Sequence, residues 1–241
     1  PRPRWHFWSL YYISISNKKK RKIILKEIIM KIIELNEDLI GNNDRLASNN
    51  SELFRNYKIK SFDIVGAIGA GKTALLEAIV SRISDDNKVL VINGDVATRI
   101  DADRIEQHGA KTIQVNTGRE CALNSYHISQ VLKNFDLNNY DIVFIENVGN
   151  LICPSDFILG ADKRIVVVSI TEGEWVIKKH PLLFKMSDIA IINKIDLLDV
   201  MDVNLDEMIS DAKEINPDLE VITTSAQSGE NISNLIDLIL S

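Results

Sequence analysis

From residue 60 onward, short runs of β-branched and other apolar residues alternate with longer segments that keep polar positions on one side. This is the signature of strand and helix units repeated in a parallel sheet. Seven runs read as strands: Phe62–Val65, Val89–Ile92, Thr112–Val115, Ile142–Ile145, Ile165–Ile170, Ile189–Ile192 and Leu219–Thr223. Helices are expected between them, near 72–84, 100–108, 121–135, 174–186, 203–215 and 230–240. Because the strands are almost continuously apolar, both faces of the sheet are expected to be covered. No internal repeat and no Gly/Ser or Pro-rich linker divides residues 61–241. They read as one α/β domain with a seven-stranded, mostly parallel sheet flanked by helices.

Residues 1–60 read as an N-terminal extension. Within it Ile23, Ile24, Ile28, Ile29, Ile32, Ile33, Leu35 and Leu39 recur at helical spacing, which predicts an amphipathic helical segment over 22–53. Asn42, Asn43 and Asp44 are expected to interrupt it, with a second short helix resuming at Leu46. Residues 1–17 begin on Pro1 and crowd Trp5, Phe7, Trp8, Tyr11 and Tyr12 together. They are expected to be disordered or extraneous to the fold.

Charge sharpens the boundary near residue 60. The net charge of −6 divides into 13 Lys/Arg against 6 Asp/Glu up to that point and 15 against 28 beyond it. An acidic main body is the wrong sign for a nucleic-acid platform. The run Lys18, Lys19, Lys20, Arg21, Lys22 fits the solvated start of a helix, with a nucleic-acid or membrane arm as the alternative. No apolar run approaches the roughly 20 residues that span a bilayer, so neither nucleic acid nor membrane is an expected partner. Two cysteines, Cys121 and Cys153, are too few for a secreted disulfide framework and point to a cytoplasmic chain with free or metal-bound thiols.

Gly66, Ala67, Ile68, Gly69, Ala70, Gly71, Lys72 and Thr73 match G-x-x-x-x-G-K-[ST] between a predicted strand and a predicted helix. The glycines let backbone N–H groups turn inward on phosphate oxygens, and the helix start, from Lys72 through Ala74, adds its partial positive charge. Lys72 is expected to reach the β and γ phosphates, and the Thr73 hydroxyl to ligate Mg²⁺. Asn193, Lys194, Ile195 and Asp196 follow the sixth strand at the end of the sheet where ligands bind. They match the N-K-x-D element whose carboxylate accepts from the two N–H donors on the Watson–Crick edge of guanine. Adenine offers an acceptor there, so Asp196 is expected to reject ATP. Ser225 and Ala226 resemble the S-A-x loop on the other side of the base. Together these predict a GTP/GDP site.

Asp95 and Glu146, at or near strand ends facing the phosphate loop, are expected to hold Mg²⁺ with Thr73, and Glu146 to take part in hydrolysis with Lys72. Asp101 fits a Mg²⁺ contact, direct or through water, and helix capping equally well. No glutamine stands where the attacking water of fast GTPases is oriented, so slow turnover is expected. Cys121 is expected to begin a helix, which would favour its thiolate. On composition alone, two buried inert thiols fit as well.

Glu146, Asn147, Val148, Gly149, Asn150, Leu151, Ile152, Cys153 and Pro154 resemble the second switch of the HypB family, GTPases that help insert nickel into [NiFe]-hydrogenases. Gly94-Asp95, Asp101-Ala102, Asn116-Thr117-Gly118, Thr171-Glu172-Gly173 and Asn193-Lys194-Ile195-Asp196 follow in the family's order. The resemblance covers residues 60–240 and, more loosely, the segment from about 24. It implies switch roles for Asp101, Asn147 and Gly149, and a Ni²⁺ or Zn²⁺ site at Cys121 and Cys153 near a GTP-promoted homodimer interface. It also implies two partners, a hydrogenase large-subunit precursor and another nickel-maturation protein. Ala122 stands where the family usually has His, leaving His127, His108 and His180 as candidate substitutes. The competing expectation is a regulatory or scaffold GTPase that assembles partners without metal transfer. A urease nickel chaperone is disfavoured by Asn147-Val148-Gly149-Asn150.

Overall fold

All seven apolar runs become strands, most of them extended by one or two residues into polar neighbours. In order they are β1 (Lys60–Gly66), β2 (Val89–Asn93), β3 (Lys111–Gln114), β4 (Ile142–Glu146), β5 (Lys163–Ser169), β6 (Ile189–Asn193) and β7 (Glu220–Thr224). The computed structural model describes residues 40–94, 100–118 and 120–241. Contacts divide the chain into Pro1–Asn42 and Asn43–Ser241, and the sheet with its helices belongs to the second unit. The strands form one sheet in the order β3-β2-β4-β1-β5-β6-β7. Every neighbouring pair is parallel, so each crossover must run over a face of the sheet.

The helices in those crossovers are α2 (Lys72–Ile83), α3 (Ile100–Glu106), α4 (Ser125–Lys133), α5 (Val176–Lys179), α6 (Pro181–Lys185) and α7 (Leu205–Ile215), and α8 (Ile232–Leu240) follows the last strand. Successive strand residues point to opposite faces. Phe62, Ile64, Phe144, Val167 and Ile191 therefore pack beneath α2 and α8. On the other face Val65, Val166, Val168 and Ile192 lie with α5, α6 and α7, while Leu90, Ile92, Val143 and Ile145 lie with α4 and Phe54. The five inner strands are covered on both sides, as their composition predicts, and the edge strands β3 and β7 are mostly half-buried.

Three boundaries differ from the expectation. The described part of the first helix, α1, runs unbroken through residues 40–56, so Asn42, Asn43 and Asp44 do not interrupt it. The cause is tertiary. Asn43 Nδ2 donates to Ile158 O (3.0 Å), Asn43 Oδ1 accepts from Ser125 N (2.9 Å), and Asn50, two turns along the same face, donates to Ser125 O and Leu159 O. Buried amides with these partners outweigh a modest helix propensity. The helix expected over 174–186 is two short helices with His180 between them, because Pro181 has no N–H and pushes the residue before it out of helical geometry. The helix expected from 121 begins at Ser125, where Asn124 caps it by accepting from His127 N. The expected helical start at Lys22 and residues 1–17 lie outside the described residues. No helix among the described residues is long and apolar enough to cross a membrane.

Candidate nucleotide-binding site

The segment between β1 and α2 folds as a loop around its own carbonyls. Gly71 caps α2 at φ 97°, a left-handed conformation natural to glycine. A Cβ there would stand 2.4 Å from Asn193 Nδ2, so the loop lies directly on the end of β6. The buried Lys72 ammonium donates to Gly66 O and Ala67 O, both at 3.0 Å. Thr73 Oγ1 donates to Glu146 Oε1 at 2.7 Å, and Asn93 Nδ2 donates to Glu146 Oε2 at 2.9 Å. The strand-end carboxylate is thus aimed at the start of α2 by two neighbours. Asn93 was missed in the sequence reading, although a polar residue closing the apolar run Val89–Ile92 was a usable signal.

At the other end of the loop, a cavity of about 250 Å³ is lined by Gly71, Ala74, Asn193, Lys194, Asp196 and Ala226, among others. Asn193 braces it, donating to Ala70 O (3.0 Å) and accepting from Thr224 Oγ1 (3.1 Å) and Ala226 N (3.2 Å). Lys194 takes φ 65°, which turns the chain so that Asp196 faces the loop after β7. There the Ser225 hydroxyl donates to Asp196 Oδ1 and accepts from Ser228 N at 3.0 Å. Gly66, Gly69, Ala70, Gly71, Lys72, Thr73, Ala74, Asn193, Lys194, Asp196, Ser225 and Ala226 are therefore gathered along one edge of the sheet, at the carboxyl ends of β1, β6 and β7. Glu172 follows β5 on the same edge. Burial pushes its carboxyl above the usual range; the Ser169 amide and the nearby charges of Lys194, Lys72 and His180 pull the other way.

Asn147 and Gly149 continue from Glu146. A Cβ on Gly149 would meet the Ile68 backbone at 3.1 Å, so this segment passes close beneath the phosphate loop. Asn150 then forms a bridge to Gly66, its amide donating to Gly66 O at 3.0 Å. Asp101 lies in the first turn of α3, and Asp95 lies outside the described residues.

The two cysteines are brought together, but not as free thiols. Cys121 and Cys153 form a disulfide, with Cα atoms 6.1 Å apart, because the turn ahead of α4 and the single 3₁₀ turn Cys153–Asp156 converge beside Asn150. The structure thus pairs with each other the two thiols that the sequence leaves free or metal-bound. The thiolate expected at a helix start is corrected, since Cys121 precedes the cap Asn124 by three residues and lies in a bend. Among the described residues, no group of three or more His, Cys, Asp or Glu side chains is gathered to hold a metal ion. His127 is engaged in capping, its Nδ1 accepting from Asn124 N at 3.2 Å, with Nε2 3.8 Å from the Glu120 carboxylate. His180 Nδ1 lies 2.9 Å from Val176 O, and Ala122 is buried.

A glycine loop joining the first strand to its helix, with a buried lysine and a hydroxyl facing a strand-end carboxylate, on an all-parallel sheet, defines a P-loop NTPase. Residues 61–223 match the family model described as CobW/HypB/UreG, nucleotide-binding domain. The chain belongs to this family and, within it, to the HypB proteins. It is 43% identical over 211 residues to the probable hydrogenase maturation factor HypB of Methanocaldococcus jannaschii, spanning 88% of this chain and 96% of that one. Among solved structures, HypB from Archaeoglobus fulgidus is 40% identical with a TM-score of 0.79, covering 83% of this chain and 98% of that one. HypB from Helicobacter pylori in complex with nickel is 31% identical with a TM-score of 0.76, covering 83% and 94%.

Proposed function

We propose that this chain is a GTP-hydrolysing metallochaperone that delivers nickel during [NiFe]-hydrogenase maturation. The observation that carries the reading is the position of Asn150. Its backbone is bonded to Gly66 of the phosphate loop, and its side chain to Cys153. The nucleotide site and the thiol pair share one residue, so a change in the loop has a direct mechanical route to Cys153. The relatives' role in hydrogenase maturation, and nickel in one of them, supply the cargo.

In this reading Asp196 selects guanine. Ser225 holds one carboxylate oxygen and orients the group toward the base cavity. Lys72 contributes the positioned positive charge for the β and γ phosphates. The hydroxyl of Thr73 and Oε1 of Glu146 are hard oxygen donors already in contact, which fits a Mg²⁺ site, with Asp95 as a further ligand. Mg²⁺ bound there would neutralise charge on the phosphates. Hydrolysis to GDP and phosphate is slow in this reading, because the sequence offers no glutamine where fast GTPases orient the attacking water.

Metal handling needs the disulfide opened. A dithiol reductant exchanges with it, leaving two thiols on this chain and a disulfide on the reductant. Ni²⁺ or Zn²⁺ then displaces the two thiol protons. Cys121 is exposed and Cys153 half-buried, so both steps are accessible. Two thiolates leave a metal short of ligands, and a GTP-promoted homodimer in the cytoplasm would supply two more from its symmetry mate. The hydrogenase large-subunit precursor and a second nickel-maturation protein are the partners that receive the metal.

The disulfide and the buried Ala122 favour the second reading, a regulatory or scaffold GTPase without metal transfer. Titrating Ni²⁺ and Zn²⁺ into reduced protein, with GDP or a GTP analogue and Mg²⁺ present and mass followed by light scattering, separates the two. Nucleotide-dependent metal affinity together with dimer formation supports the metallochaperone. Equal affinity in both states, unchanged by Cys153→Ala, leaves the scaffold.

A further inference from the structure

Asp63 and Arg164 are a buried ion pair that the nucleotide chemistry does not use. They are register partners on β1 and β5 and stand on the sheet face that carries both α4 and α7, at the seam between its two apolar clusters. Asp63 Oδ2 accepts from Arg164 Nε at 2.9 Å and lies 2.8 Å from Nη2. Such a pair in a core is a weak source of stability and is often replaceable by apolar side chains. Its connections are more informative than its energy. Asp63 Oδ1 accepts from Asn147 Nδ2 at 3.2 Å. Asn147 Oδ1 in turn accepts from Leu123 N at 2.8 Å and Val148 N at 3.0 Å. At the other end Arg164 Nη2 donates to Phe157 O at 2.6 Å.

Leu123 is two residues from Cys121, and Phe157 is four from Cys153. Asn147 adjoins Glu146, which Thr73 contacts. One buried network thus grips both cysteine-bearing segments and the residue next to the phosphate-facing carboxylate. We propose that Asp63 and Arg164 are positioning residues that set the relation of Cys121 to Cys153 and transmit the nucleotide state to both. Displacement of Asn147 when the loop engages GTP pulls on Leu123 directly and on Phe157 through Asp63 and Arg164. The inference rests on the reading that nucleotide and thiols are linked.

The test uses the whole reduced chain and needs no metal. Alkylation rates of Cys121 and Cys153 by a maleimide are measured by mass spectrometry with GDP and with a GTP analogue plus Mg²⁺. In wild type the nucleotide should change the ratio of the two rates by at least about fivefold, the low end of coupling between linked sites. Arg164→Lys keeps the charge but loses the fork to Phe157, and the paired change Asp63→Leu with Arg164→Met removes both charges together. Both should bring the effect of nucleotide close to unity while GTP affinity stays within about threefold of wild type. Ile239→Val, a core change on α8 in the apolar cluster of the opposite sheet face, serves as the control for general loosening and should lower Tm while keeping the response. A response retained in both network variants overturns the relay alone, and so does loss of the response in the Ile239 control. A wild type whose thiols ignore the nucleotide overturns the linkage reading and the relay with it.

Discussion

Asn150 Nδ2 lies 3.3 Å from Cys153 Sγ, and the Oδ1 of the same side chain accepts from the amides of Ile152 (2.7 Å) and Cys153 (3.3 Å). One amide side chain therefore fixes both the sulfur and the backbone that carries it. Asn150→Ala would free the turn while leaving the backbone bond to Gly66 intact. The expected outcome in reduced protein is GTP affinity within about threefold of wild type, since each lost neutral hydrogen bond is worth only about 1 kcal/mol, together with loss of most nucleotide dependence of metal binding. Calorimetric titration of each ligand in the presence of the other measures both.

Lys72→Ala should lower GTP affinity by at least about 100-fold, since charge-assisted hydrogen bonds contribute about 1.5–3 kcal/mol each and two phosphates lose theirs. The lysine is already directed into the loop, donating to Gly66 O and Ala67 O, so its contribution is preorganised. A fluorescent guanine nucleotide displaced by GTP reports the change.

Asp196→Asn should weaken GTP by about 1–3 kcal/mol, the cost of leaving a polar group without a partner once the base covers it, and leave ATP unaffected. Ser225 can still donate to Oδ1, which leaves the new amide N–H₂ to face a guanine donor. Competition binding with GTP, ATP and XTP checks this, and XTP should gain relative to GTP because its base presents an acceptor where guanine has its amino group.

Glu172 gives a pH signature. Its folded-state carboxyl is held above the ordinary value of 4.5, chiefly by burial, so the folded chain binds more protons than the unfolded one in the interval above 4.5. Stability from this group is therefore lost as pH rises through that interval. Glu172→Gln keeps an acceptor for Ser169 N and should abolish this slope. Tm measured from pH 4 to 7 should show wild type falling relative to the variant as pH rises, then running parallel. A difference that does not vary with pH would contradict the burial effect.

The features legible in sequence were those written in neighbouring residues. Runs such as Ile189–Ile192 can only be inner strands, and Gly66 to Thr73 encodes the loop by composition and spacing. Pro181 marks a helix break, but apolar residues continue on both sides of it and mimic one longer helix. The rest depends on distant partners. Asn43 looks like a helix stop until Ser125 and Ile158 are beside it. Asp63 is a charge inside an otherwise apolar strand, and its partner Arg164 lies 101 residues away. Cys121 and Cys153 are 32 residues apart, and nothing in their local surroundings encodes the convergence of the two turns.

The contact between Gly71 and Asn193 has a consequence for how this site could be altered. Any side chain at 71 would have to push aside the amide that braces Ala70, Thr224 and Ala226, so damage at the phosphate end would surface as indiscriminate choice of base. Fidelity and grip are two readouts of one joint. An engineered change of nucleotide preference confined to Asp196 would leave that joint undisturbed, whereas changes that loosen the loop would trade away discrimination together with affinity.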